Sequence, residues 1–331
     1  MINIDIAVVG AGLAGLVFAD EMKRQGLSVL CVEKAKGSGG RLSSKRLSYD
    51  AKTISFDLGA QSITAHTAQF RQALNDWHKL GVIAPWFEEE GCIHYVGTPR
   101  SSSLTRLLAD KVGAQFGTRI DRIEKQHNHW NIYKETEQGS EQLAIAKQVV
   151  LACPAAQTYA LIPDNNELSS SLQTINIDGQ WVMMITTKEP LGISYSKQFH
   201  GESIARISYE NSKPERQNES HVYCIQACQQ WSKNKFDIDK QQIETMLIKD
   251  LEIILGENIS YQASYVHRWL YSQGSNGHVD KGFYKSDDGL FVCGDYLLSD
   301  LKVGGVEAAY LSAKALSDYM LQPIDQLQRA G

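Results

Sequence analysis

The chain of 331 residues contains no uninterrupted apolar run of 18 residues, so a membrane-spanning helix is not expected. It also shows no cationic leader ahead of a cleavable apolar stretch, and the expectation is a cytoplasmic protein. No long block of like charge appears. With a net charge of −5, neither nucleic acid nor an anionic membrane is an expected partner. The six cysteines, at 31, 92, 153, 224, 228 and 293, form no CxxC pair, which predicts reduced packing residues rather than a disulfide framework. Cys224 and Cys228 lie four apart in a run that reads as a strand, too far apart along one face to bridge easily. GxSxG, HExxH and a Walker loop are missing, which removes support for an acyl hydrolase, a zinc protease or an NTPase. His127 and His129 have no third ligand in view, so they predict a polar hairpin and no metal.

What is present is concentrated at the start. Ile4 to Gly10 is an apolar, β-branched run that stops at glycine, the pattern of a buried parallel strand. Gly10, Gly12 and Gly15 then complete GxGxxG. The first permits a tight turn, the second a close approach of backbone to pyrophosphate, and the third close helix–sheet packing. Leu13 to Gln25 reads as a helix, with Gly15, Phe18, Ala19 and Met22 on one face and Gly26 as its C-terminal stop. The free amides of its first turn, including those of Leu13 and Ala14, suit a phosphate. Ser28 to Val32 reads as a second strand. Glu33 follows it, 18 residues beyond Gly15, where a carboxylate accepts from ribose hydroxyls and repels a 2′-phosphate.

Further along, Gly39-Gly40-Arg41-Leu42 sits in a basic, flexible stretch also holding Lys34, Lys36, Lys45 and Arg46. Phe56-Asp57-Leu58-Gly59-Ala60-Gln61 reads either as a turn or as a cofactor segment. Thr67 to Leu80 predicts a helix leading to the aromatic Pro85-Trp86-Phe87. Short strands are expected at Gly117 to Ile123, Trp130 to Tyr133 and Gln142 to Ala146, followed by the buried run Val149 to Cys153. A second domain with strands at Trp181 to Thr187, His221 to Ala227 and Gln262 to Tyr271, and a helix over Asp239 to Ile254, fills the later half. In its last strand Tyr265, His267, Trp269 and Tyr271 share a face, which serves sheet packing or ring stacking equally well. Leu290 to Asp295 is an apolar strand ending in Gly-Asp. Asp295 there makes a common Gly-Asp turn, and a last helix beginning within Lys302 to Tyr310 leaves the amides of Gly305, Val306 and Glu307 free at its start.

The Gly-Gly-Arg loop after Glu33 resembles the GG-doublet flavoproteins of the amine oxidase superfamily, which favours FAD over NAD. KGSGGRLSSKR, DLGAQ, HRWLY, VCGDYLLSD and GGVEAAYLSAKAL together resemble the bacterial renalase-like FAD-dependent oxidases. The resemblance implies an α/β fold: a Rossmann-like FAD-binding domain (1–64, 99–157 and 286–331) with an inserted mixed-sheet, α+β substrate domain (65–98 and 158–285). It implies noncovalent FAD, since no SGGCY-like attachment segment is present. The cofactor contacts it implies are Gly10, Gly12, Leu13, Ala14, Gly15, Glu33, Lys34, Gly40, Arg41, Leu42, Asp57, Gly59, Ala60, Gln61, Ile120, Cys153, Gly294, Asp295, Gly305, Val306 and Glu307. Around the substrate it implies His267, Trp269 and Tyr296, with Gln61 near the flavin. The implied reaction is oxidation of 2- or 6-dihydronicotinamide dinucleotides to NAD(P), with O2 reduced to hydrogen peroxide, in a monomer or weak dimer. An amine or other small-molecule oxidase on the same fold and a flavin-binding sensor are the alternatives. The chain departs from the family in having Ser62 after GAQ, Tyr296 after Gly-Asp and an altered segment at 97–102.

Overall fold

The structure is a computed structural model that describes residues 2–50, 52–164, 166–274, 279–298 and 303–322. It contains two compact units, one made of 1–40, 105–176 and 274–331, the other of 41–104 and 177–273. The divisions differ from the expected ones for local reasons. Ile54, Phe56 and Leu58 pack on Met184 and Val222, which ties 44–58 to the second unit. Phe283–Lys285 pairs antiparallel with Leu290–Cys293, which ties that strand to the first.

The first unit is built on a sheet in which Val29–Val32, Ile2–Val9, Gly139–Leu151 and Leu290–Cys293 run parallel as neighbours. Ile6 to Val9 are buried on both faces, as expected of a covered parallel strand. One strand was read from sequence as two. Gly139–Leu151 is continuous: its first half pairs antiparallel with His129–Thr136, and its second half continues in parallel with Ile2–Val9. Lys147 and Gln148 look like a break, but pairing of the backbone continues there, and Lys147 Nζ reaches Asp5 at 2.8 Å. The helix Leu13–Arg24 buries Leu16, Val17, Phe18, Ala19 and Met22 and gives way to Gly26 at φ +82°. Gly305–Met320 packs beside it, linked by Lys314 and Glu21 at 3.2 Å. His127 occupies the turn between two strands of the meander at φ +52°. Lys302, Ser299 and Asp300 lie outside the described residues.

The second unit holds a five-stranded sheet in the order Ser196–Gln198, Ile204–Tyr209, His221–Ala227, Ile177–Thr187, Tyr261–Gly274. Alternation gives it two apolar faces. On one, Met183, Ile185, Ile207, Tyr223 and Ile225 meet Ile243, Leu247 and Leu251 of the helix Lys240–Leu255. Those three helix residues recur every four positions, and burying each contributes about 2 kcal/mol. Asp239 caps the helix by accepting from the amides of Gln241 and Gln242, and Gly256 ends it at φ +74°. The opposite face carries Met184, Val222, Tyr265 and Trp269 against Ile54, Phe56 and Leu58. The stretch read as a flexible basic loop is shorter than expected. A 3-10 turn at Gly40–Leu42 gives way to the hairpin of Ser44–Tyr49 and Lys52–Asp57, because Leu47, Ile54 and Phe56 alternate into that apolar cluster. Ala68–Lys79 is helical with Thr67 as its cap, Thr67 Oγ1 accepting from Phe70 N at 3.2 Å. Cys224 is in the strand His221–Ala227 and Cys228 just beyond it; all six cysteines are free thiols.

Candidate functional site

In the first unit the candidate residues gather at the carboxyl ends of the parallel strands, where open α/β sheets bind their ligands. Gly10 ends the first strand, its amide bonded to Val32 O at 2.8 Å and its φ at +109°. A Cβ there would stand 2.7 Å from Ala152 O, and one on Gly15 would collide with the Gly10 carbonyl. Both glycines are therefore demanded by the turn itself. Gly12 is different. A Cβ on it would meet no protein atom within 4 Å, so the space it leaves is free for a ligand at the start of the helix. The first intrahelical bond runs from Leu16 N to Gly12 O, so the amides of Leu13, Ala14 and Gly15 have no helical acceptor. This combination suits a pyrophosphate.

Glu33 is aligned rather than loose. Oε2 accepts from Ala11 N at 3.0 Å and Oε1 from Ala35 N at 2.9 Å, which uses about half of the carboxylate's accepting capacity and leaves the rest free for the hydroxyls of a ligand. Lys34 beside it is exposed. The segment 115–118 runs alongside: Glu33 N donates to Gln115 O and Thr118 N to Glu33 O, each near 2.9 Å, and Ile120 follows as a buried strand residue. Asp295 stands at the end of Leu290–Cys293. A Cβ on Gly305 would lie 3.6 Å from its Oδ2, so residues at 295 and 305 meet at the N-terminus of the last helix. Glu307 is fully buried, and Val306 is half-buried. Cys153 is half-buried, with Sγ 3.3 Å from Thr158 Oγ1; burial pushes its thiol up to about 11, so it is not a thiolate.

Tyr296 does not take the expected place. Only 1% exposed, it donates its hydroxyl to Cys153 O at 3.1 Å, and a Cβ on Gly294 would strike its ring. It packs the floor of the cradle instead of facing a substrate.

In the second unit Arg41, Leu42 and the 57–61 segment are locked together. Ala60 N donates to Arg41 O at 2.9 Å, Arg41 Nη1 donates to Ser272 O at 2.9 Å, Leu42 is buried, and Gly59 has no room for a Cβ against the Arg41 carbonyl. Gln61 is also corrected as a reacting residue. It is 4% exposed, Nε2 donates to Asp57 O at 2.8 Å and approaches Gly59 O and Cys224 Sγ, and Oε1 accepts from Lys213 Nζ at 3.1 Å. Both ends of its amide are engaged within the protein, so it shapes the loop.

Asp57 shows why. Its carboxylate, 1% exposed, accepts from Lys213 Nζ at 3.1 Å, Arg216 Nη2 at 2.6 Å, Ser44 Oγ at 2.7 Å and Ser101 N at 3.0 Å. Glu210, fully buried, accepts from Lys213 Nζ at 2.6 Å and from Asp57 N at 3.1 Å. Burial alone would raise Asp57, but Lys213 and Arg216 outweigh it and hold the carboxyl below its usual range. Burial, with Asp57 nearby, raises Glu210; Lys213, despite burial, is held above its usual range by the two carboxylates. The side chain of Asp57 thus serves an internal ion cluster, not a cofactor. Sequence reasoning missed Glu210, Lys213 and Arg216 because Tyr209-Glu-Asn-Ser-Lys-Pro-Glu-Arg reads as a solvated polar loop.

The aromatic strand is half-buried. Trp269 Nε1 donates to Leu58 O at 3.1 Å, His267 lies edge-on to Trp269 at 4.7 Å, and Tyr265 is stacked beyond it with Lys45 above its ring. Burial, with Lys240 and Lys45 nearby, lowers His267, so it is a neutral imidazole at pH 7.

A Rossmann-type sheet with Glu33 at the end of its second strand, and with Asp295 beside the start of a second helix, is the frame of a nucleotide-binding domain. Residues 8–77 match the NAD(P)-binding Rossmann-like domain and residues 86–321 match the flavin containing amine oxidoreductase family; the chain belongs to that family and is a flavin-dependent oxidase. Renalase of Mus musculus is 23% identical over 305 residues, covering 83% of this chain and 87% of the relative. Among solved structures, a putative protoporphyrinogen oxidase from Exiguobacterium sp. 255-15 superposes with a TM-score of 0.70 at 12% identity, covering 96% and 98% of the two chains. Putrescine oxidase bound to putrescine gives 0.64 at 10% identity, with 97% and 100% covered. At these identities the structures support the fold. Among the described residues no helix is long and apolar enough to cross a membrane.

Proposed function

We propose that the chain is a renalase-like oxidase that binds FAD noncovalently and oxidises 2- or 6-dihydronicotinamide dinucleotides to NAD(P). The observation that carries the reading is the half-buried Tyr265-His267-Trp269 face, in a chain whose relatives include a renalase. When bound, FAD supplies a hydride acceptor at N5 and returns the electrons to O2 as hydrogen peroxide. Leu13, Ala14 and Gly12 would hold its pyrophosphate, Glu33 its adenosine ribose and Asp295 its ribityl chain. The backbone of Gly59 and Ala60 is the part of the 57–61 segment proposed for the flavin, since the side chains of Asp57 and Gln61 are already engaged. Trp269 aligns the planar ring, and His267, neutral, accepts or donates a hydrogen bond to the carboxamide without repelling the ring as it becomes cationic.

Anaerobic mixing of the flavin-loaded protein with each dihydro-NAD isomer tests this. Rapid bleaching by the 2- or 6-isomer, with NAD as product, is expected. Bleaching only by amines, or by nothing offered, overturns it.

A further inference from the structure

The sheet face of the second unit that carries Cys224 and Gln226 carries a cation that none of the groups described so far neutralises. Arg206 pairs with Gln226, and Ser208 with Cys224, across Ile204–Tyr209 and His221–Ala227, so all four side chains share that face. Gln226 Nε2 donates to Gly59 O at 3.1 Å and Cys224 Sγ meets Gln61 Nε2 at 3.3 Å, so the segment around residues 59–61 covers this face. Ser62 follows directly, with its hydroxyl 2.9 Å from His94 Nδ1. The His94 ring is stacked on Phe87 at 4.2 Å and 12°, and Phe87 is stacked on Tyr195 at 5.6 Å.

Arg206 is partly buried. Its guanidinium donates to Ser196 Oγ at 3.2 Å and Gln198 Oε1 at 3.3 Å, both neutral and both long; the exposed Glu89 acts on it electrostatically, but among the described residues no carboxylate forms an ion pair with it. Lys213 and Arg216, on the same unit, are matched by two buried carboxylates; Arg206 is not. A guanidinium has five donors in a fixed fork, and a partly desolvated one with two weak neutral acceptors lacks the anion that its geometry suits. Its charge reaches His94: burial first, then Arg206, lowers that imidazole against the opposing pull of Glu89, so His94 is neutral and able to donate to or accept from a ligand.

We propose that Arg206, with Ser62 and His94, forms an anion subsite for the substrate, taking a phosphate or a carboxylate beside the ring stack of Phe87, His94 and Tyr195. As a substrate subsite this rests on the oxidase reading above. It gives Ser62 a purpose: its small side chain makes the polar pair with His94.

The test is equilibrium binding to the flavin-loaded protein, read by calorimetry and by the flavin difference spectrum, for wild type and Arg206→Gln. The probes are nicotinamide mononucleotide, nicotinamide riboside, nicotinate, inorganic pyrophosphate and benzoate. Loss of a charge-assisted fork corresponds to about 10- to 100-fold in affinity. If the anion is phosphate, the variant weakens the mononucleotide and pyrophosphate by that factor and leaves the riboside unchanged. If it is carboxylate, nicotinate and benzoate weaken instead. Arg206→Lys, which keeps the charge but loses the fork, falls between and serves if the Gln variant folds poorly. Equal affinity of wild type and both variants for every anion, or binding of none, overturns the subsite. Arg206-dependent anion binding in a protein whose flavin no dihydronicotinamide reduces keeps the subsite and sinks the substrate reading; reduction without Arg206-dependent binding does the reverse.

Discussion

Replacing Lys213 by Met should cost the protein about 3–5 kcal/mol at neutral pH, the range found when one partner of a buried ion pair is removed. The structure indicates where the cost falls. Lys213 Nζ gives one bond each to Asp57, Glu210 and Gln61, at 3.1, 2.6 and 3.1 Å. Without it Asp57 keeps Arg216 at 2.6 Å, Ser44 and the Ser101 amide, but Glu210 keeps only the Asp57 amide, since Arg216 Nε stands 3.8 Å from it. Two carboxylates then face one guanidinium, and Glu210, already raised by burial, becomes the uncompensated charge. The sign of the pH dependence follows. An acid whose folded pKa lies above its unfolded one destabilises the fold as pH rises, and that penalty fades as pH falls towards the unfolded value near 4.3. The deficit of the variant should therefore be largest at pH 7 and above and shrink by pH 5. Adding Glu210→Gln removes the orphan charge and should restore half or more of the loss. Urea unfolding followed by tryptophan fluorescence is a direct assay, because Lys213 Nζ sits 5.2 Å from the centre of the Trp86 ring. A single variant within 1 kcal/mol of wild type at pH 7.5, or one that Glu210→Gln fails to rescue, refutes the reasoning.

Two further outcomes are expected. Glu33→Ala should weaken retention of FAD by about 10- to 100-fold, since it removes the acceptor proposed for ribose, which also holds the amides of Ala11 and Ala35; equilibrium dialysis showing wild-type affinity excludes Glu33 as the ribose ligand. Trp269→Phe keeps an aromatic ring in the cluster with Ile54 and Phe56 but loses the bond to Leu58 O, so stability should fall by about 1 kcal/mol while flavin reduction slows at least tenfold. Unchanged anaerobic reduction at saturating dihydronicotinamide assigns Trp269 to the core.

The strand, glycine turn and helix at the start of the chain were legible because their determinants are local. Gly10, Gly12 and Gly15 answer to one turn and one helix start, Glu33 ends the adjacent strand, and apolar runs such as Ile6 to Val9 signal a covered sheet without reference to distant residues. The helices Leu13–Arg24 and Lys240–Leu255 likewise follow from periodicity and from their Gly26 and Gly256 stops. What tertiary structure alone decided concerns groups far apart in sequence. Asp57 and Gln61 sit in a segment that resembles a flavin contact, yet Lys213 and Arg216, more than 150 positions on, claim their side chains. Tyr296 follows the Gly-Asp motif but is turned inward to Cys153, 143 residues earlier. Glu210, Lys213 and Arg216 have the composition of a solvated loop, and only the packing of that loop buries them, because burial of a charge depends on the partners that the fold brings to it and not on its neighbours in the chain.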